Sequence, residues 1–184
     1  THIRNLKYHK EYKAVFQQLY DAIKEEGVDY IIHCGDIAHT KTQISPEFVD
    51  MCSDFLSSLA DIAPTYVILG NHDGNLKNTG RLDALSPIVE ALEHPDLRDG
   101  FALNVLSVFD EEGWDDPSNY DNVNIALYHG SISNCQTDSG WVMEKGEHDV
   151  NIFEEFDYAF LGDIHKAQAM DRAGKIRYAG STVQ

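Results

Sequence analysis

Two short runs carry residue types suited to metal-assisted chemistry: Gly35-Asp36-Ile37-Ala38-His39 and Gly70-Asn71-His72-Asp73. Each follows an apolar, β-type stretch, at 30–34 and 66–69. Each therefore puts Asp, Asn and His where a strand meets a loop, the edge at which α/β proteins bind ligands. A carboxylate, an amide and imidazoles gathered there suit a divalent ion. Two further runs have the same form: Tyr128-His129-Gly130 after 123–127, and Gly162-Asp163-Ile164-His165 after 158–161. Singly, Asp36 and Asn71 read as turn residues, and His129 and His165 as satisfied buried histidines. Four polar clusters at four strand ends are not explained by core packing.

The chemistry that needs such a set is phosphodiester hydrolysis. The substrate is anionic and repels hydroxide; paired divalent ions lower the pKa of bound water to about 7 and neutralise the phosphate oxygens. Asp36 is the natural bridging carboxylate. Asn71 offers a neutral oxygen, and His129 and His165 offer imidazole nitrogens. His72, beside Asn71, is placed to protonate the leaving oxygen.

The elements that must position these residues follow from periodicity. Residues 9–26 read as an amphipathic helix, with Tyr12, Val15, Phe16, Leu19 and Ile23 on one face and Gly27 as its stop. A strand at 28–34 follows. Ser45-Pro46-Glu47 is a helix start, with Ser as N-cap and Pro at the first position. A strand at 65–69 comes next, then a loop from Asn75 to Gly80 and a helix marked by Leu82, Leu85, Val89 and Leu92. Helix–strand alternation favours parallel pairing in this half. The second half reads as strands at 101–109, 123–128, 156–161 and 175–179. A polar stretch at 131–149 reads as a hairpin or lid around Trp141-Val142-Met143.

Composition bounds the rest. The chain of 184 residues, 42% hydrophobic and 10% aromatic, fits one globular domain with a sizeable core. No apolar run approaches the ~20 residues of a membrane span, so no membrane association is expected. Cys34, Cys52 and Cys135 form no paired motif and read as free thiols of a reducing, cytoplasmic setting. The net charge of −17 argues against general affinity for nucleic acid. Residues 82–165 hold 19 acids against two bases, Arg98 and Lys145, while bases gather toward the two ends. An anionic substrate is expected to approach over those terminal segments. His33 reads as packing; His9, His94 and His148 as surface residues; Arg4 equally as surface or phosphate contact; Trp114 and Trp141 as buried or lid-packed in preference to base-stacking.

The ordered motifs Gly35-Asp36-x-x-His39, Gly70-Asn71-His72-Asp73, His129 and Gly162-Asp163-x-His165 resemble the calcineurin-like metallophosphoesterase superfamily over essentially the whole chain. The ends are similar to the SbcD-type DNA double-strand-break repair nucleases: Thr1-His2-Ile3-Arg4, Leu161–Lys166, and Tyr178-Ala179-Gly180-Ser181 leading toward a DNA-capping domain. The resemblance implies a four-layer αββα sandwich of two mixed sheets flanked by helices, as one nuclease core over 1–184. That core would be cut at both ends, with the capping domain absent. It implies two divalent ions, Mn²⁺ first, with Mg²⁺, Fe²⁺ or Zn²⁺ as alternatives. His2, Asp36 and His165 would hold one ion, and Asp36, Asn71, His129 and Asp163 the other. His72 would be the proton donor, and His39 would assist near the phosphate. Two departures stand out. The aspartate of the family's first motif would precede Thr1, and Asp163 replaces the usual histidine, making that site harder and more anionic.

The function so implied is DNA cleavage, exo- or endonucleolytic, by metal-activated hydroxide. The implied partners are DNA and, for a full-length protein, an SMC-like coiled-coil ATPase; a homodimer is also admitted. Two rivals remain at this point: a small-molecule or nucleotide phosphodiesterase of the same superfamily, and a catalytically silent metal-binding scaffold.

Overall fold

The computed structural model describes residues 2–3, 8–40, 44–75, 83, 85–90, 92 and 96–182. Arg4, Leu82, His94, most of the loop running to Gly80, and Thr1 therefore lie outside the described residues. The chain is α/β and divides into two compact units: Thr1–Pro95 with Thr182–Gln184, and Asp96–Ser181.

In the first unit, helix α1 spans His9–Glu26 and ends on Gly27. Gly27 takes a left-handed φ of 64° and returns its N–H to Ile23 O, a conformation that a side chain would disfavour. Helix α2, Pro46–Ala60, starts as its sequence requires, with Ser45 Oγ accepting from Phe48 N at 3.2 Å. Its apolar face, Phe48, Met51, Cys52, Phe55, Leu56 and Leu59, is buried against Tyr12 and Phe16 of α1. The Phe16 and Phe55 rings lie 4.2 Å apart. Burial also pushes the Cys52 thiol up to about 12, which favours its protonated form.

Strands β1 (Ile31–His33) and β2 (Thr65–Val67) pair in parallel, with α2 as the crossover between them. Both are shorter than the apolar runs suggest. The runs continue as extended chain, with Ile68 N donating to His33 O, before turning into the polar loops. The helix read from Leu82 to Leu92 is, among the described residues, the four-residue α3, Ser86–Val89.

The second unit is built on a five-stranded sheet: β3 (Phe101–Leu106), β4 (Val123–His129), β7 (Tyr158–Gly162), β9 (Ile176–Tyr178) and β8 (Gln168–Ala169), in that spatial order. The first four run parallel and β8 runs antiparallel to β9. One face buries Leu106, Ala126, Tyr128, Ala159, Leu161 and Tyr178 in a core shared with Phe153 and Ile132. The polar stretch after His129 forms a hairpin, β5 (Cys135–Gln136) with β6 (Val142–Met143). Gly146 lets the chain pass beneath it, because a Cβ there would meet Ile132 and Ser133 backbone atoms at 2.6 Å. No helix among the described residues is long and apolar enough to cross a membrane.

Candidate metal-binding clusters

In the first unit, the loops leaving β1 and β2 are tied together by Asp73, which is 3% exposed. Its Oδ2 accepts from Asp36 N at 2.7 Å and from Gly70 N at 2.9 Å, and its Oδ1 accepts from Ala38 N at 2.8 Å. Burial pushes the Asp73 carboxyl upward, against the three backbone donors that pull it down. Sequence reasoning quoted Asp73 in the motif and gave it no role. Its place at the end of the second motif was the signal.

The clamp fixes Asp36 in an unusual conformation. Gly35 and Asp36 both take left-handed backbone angles, φ 85° and 59°. A non-glycine residue in that region is uncommon and clusters at functional sites. Asp36 Oδ1 accepts from His72 N at 2.9 Å, and Oδ2 stands 3.3 Å from His2 Nε2. His2 is delivered by a separate segment: Ile3 N donates to Ile37 O at 2.8 Å, and Tyr12 of α1 donates to His2 O at 2.8 Å.

Three imidazoles gather over this carboxylate. The His2 ring lies 5.0 Å from that of His72 and 5.7 Å from that of His39, both edge-on. His72 Nδ1 is 2.9 Å from His39 O. A carbonyl oxygen only accepts, so His72 Nδ1 carries the hydrogen and Nε2 is the position that gains or releases a proton. Next in the chain, Asn71 Oδ1 is buried and has no hydrogen-bond partner among the described residues. Leaving such an oxygen unsatisfied costs about 1–3 kcal/mol, a cost that a cation at this position would remove. The first unit thus brings His2, Asp36, His39 and His72 together, with Asn71 adjoining.

In the second unit, His129 at the end of β4 is 1% exposed and pairs in register with Gly162 at the end of β7. The following residue, Asp163, is left-handed at φ 85°, and its Oδ1 lies 3.9 Å from His129 Nε2. So the two candidate carboxylates, Asp36 and Asp163, share the same backbone outlier just past a strand. The loop after His129 is held by Tyr178, whose hydroxyl donates to Gly130 O at 2.8 Å and accepts from Ile132 N at 2.9 Å. Glu147 Oε2 secures it further by accepting from Ser131 N at 3.0 Å. His165 contacts Asp138 of the hairpin turn, Nδ1 to Oδ2 at 3.8 Å.

Two sequence expectations are corrected. His148 is no surface residue: its ring packs 5.0 Å from Trp114 and 5.9 Å from Tyr128, with Glu111 at 3.7 Å. Trp141, expected to be buried or lid-packed, is 60% exposed beside the β5–β6 hairpin turn. Trp114 packs as expected, its Nε1 donating to Ser107 O at 2.8 Å.

The donor set of carboxylate and amide oxygens with imidazole nitrogens suits hard to borderline divalent ions such as Mn²⁺, Mg²⁺, Fe²⁺ or Zn²⁺. Comparison with known proteins agrees in kind. A family model described as Calcineurin-like phosphoesterase matches residues 1–167. "Uncharacterized protein R555" of Acanthamoeba polyphaga mimivirus is 40% identical, over 100% of this chain and 15% of its own length. "Putative phosphoesterase 244L" of Invertebrate iridescent virus 6 is 25% identical, over 85% of this chain and 59% of its own length. The chain thus spans less than two thirds of either relative.

Proposed function

Because the chain belongs to the calcineurin-like phosphoesterase family, we propose that it hydrolyses phosphodiesters, with DNA as substrate cut exo- or endonucleolytically. Two divalent ions, Mn²⁺ first, would be held by ligands drawn from His2, Asp36, Asn71, His129, Asp163 and His165. When bound, such ions lower the pKa of water to about 7 and neutralise phosphate oxygens. The observation that supports this reading best is the first cluster. Its carboxylate is fixed by His72 N and faced by His2. Beside it is a buried amide oxygen with no partner among the described residues.

The chain's own residues supply the rest. His72 is oriented by the His39 carbonyl, which leaves Nε2 to hand a proton to the departing oxygen. His39 sets that orientation through its backbone and keeps its ring 6.5 Å from that of His72. Asp73 holds both loops at the spacing this requires.

His72→Gln tests the reading. With a thymidine dinucleotide, whose alkoxide leaving group needs a proton, the rate should fall about a hundredfold. With bis-p-nitrophenyl phosphate, whose leaving group departs as a stable anion, the loss should be far smaller. Equal losses on both substrates would remove the proton-donor role. Turnover of the nitrophenyl ester by the unaltered chain, without any cleavage of DNA, would move the substrate to a small phosphodiester.

A further inference from the structure

The β5–β6 hairpin carries a tryptophan that packing does not use. Trp141 is 60% exposed and its neighbour Val142 is 44% exposed. An indole left in water forgoes one of the largest burial gains of any side chain. The turn that holds it is well defined. Thr137 N donates to Trp141 O at 2.9 Å, Gly140 N donates to Thr137 O at 2.9 Å, and Gly140 is left-handed at φ 84°. This is a three-residue hairpin loop closed by a glycine in the one conformation it needs. Gln136 Nε2 donates across it to Gly140 O at 2.9 Å.

The hairpin is also fastened to the segment bearing His165. Gln136 N donates to Gln168 Oε1 at 2.9 Å, Gln168 Nε2 donates back to Gln136 O at 2.7 Å, and Lys166 Nζ donates to Gln136 Oε1. Asp138, three residues before Trp141 in the same turn, stands 3.8 Å from His165 Nδ1. A solvent-exposed aromatic thus sits at a hydrogen-bonded turn that contacts a candidate metal ligand, with Lys166 bonded to Gln136 at its base.

We propose that Trp141 is a nucleobase-stacking residue, and that the phosphodiester cleaved is one that carries an unpaired base. The inference rests on the hydrolase reading above and names its substrate class. At a net −17, the chain gains little from phosphate neutralisation, whereas stacking on an aromatic face does not depend on net charge and tolerates any base. Trp141 acts in binding and touches no reacting atom.

The test uses the full chain with Mn²⁺ and three substrates: an oligothymidylate, an abasic strand of equal length, and a thymidine dinucleotide. The expected result is a lower KM for the oligothymidylate than for the abasic strand. In Trp141→Ala that preference should disappear, with the oligothymidylate KM rising about tenfold and kcat little altered, and Trp141→Phe should recover most of it. In a Trp114→Phe chain, where Trp141 is the sole indole, the oligothymidylate should quench emission and the abasic strand should not. A dinucleotide that behaves like the oligomer assigns the base to a nucleotide; one that does not assigns it to a strand. Equal KM values for intact and abasic strands, with no quenching, would overturn the proposal. Absence of hydrolysis on every substrate would overturn the hydrolase reading instead, and quenching alone would then decide the role of Trp141.

Discussion

Asp36→Asn is expected to lower phosphodiester hydrolysis at least about a thousandfold, since losing even an outer-shell partner of a metal costs up to about a hundredfold. The substitution is chosen to spare the fold. Asp36 sits at φ 59°, a region that asparagine tolerates nearly as well as aspartate. Its backbone N–H still reaches Asp73, and an amide oxygen can still accept from His72 N. The negative charge facing His2 is lost. The thermal midpoint should therefore hold within a few degrees while turnover disappears. Activity within a few-fold of the unaltered chain would show that Asp36 serves the turn and not the chemistry.

Asp73→Asn is expected to do the reverse, striking stability first. The carboxylate accepts three buried backbone N–H groups on two oxygens, and an amide has one oxygen and two donors. Flipped one way it loses Ala38 N; flipped the other way it loses both Asp36 N and Gly70 N. Either leaves a buried donor facing a donor, at a cost of about 3 kcal/mol. For a chain of this size that corresponds to a fall of roughly 6–12 °C in thermal midpoint. Calorimetry reads it directly. A midpoint within a degree or two of the original would mean that the loops do not depend on Asp73.

These variants also mark what the sequence can and cannot disclose. Helix α1 and the start of helix α2 were legible to the residue, because a glycine stop and a Ser-Pro-Glu start are local chemistry. Three of the four strand-end clusters were legible because apolar runs broken by Gly-Asp or Gly-Asn form a pattern that core packing does not produce, and the fourth because His129 closes an apolar run. Most strands read too long, and β4 one residue too short, since an apolar run says only that a segment is buried and not where its ladder ends. β8 was missed outright: two residues, Gln168 and Ala169, have no periodicity to detect. The clamp by Asp73 and the left-handed angles at Asp36 and Asp163 depend on partners far along the chain or on backbone geometry. Trp141 is exposed, although hydrophobicity alone would have placed it inside.

The most direct measurement is Mn²⁺ retention after equilibrium dialysis, together with the metal-free thermal midpoint, for the unaltered chain and for Asn71→Leu. Asn71 Oδ1 is buried with no hydrogen-bond partner among the described residues, so an apolar side chain of similar size removes a cost instead of adding one. The account predicts that the unaltered chain retains two ions, that Asn71→Leu retains fewer, and that the metal-free variant melts no lower than the original. Full retention of metal by Asn71→Leu, or a variant that melts well below the metal-free original, would contradict it.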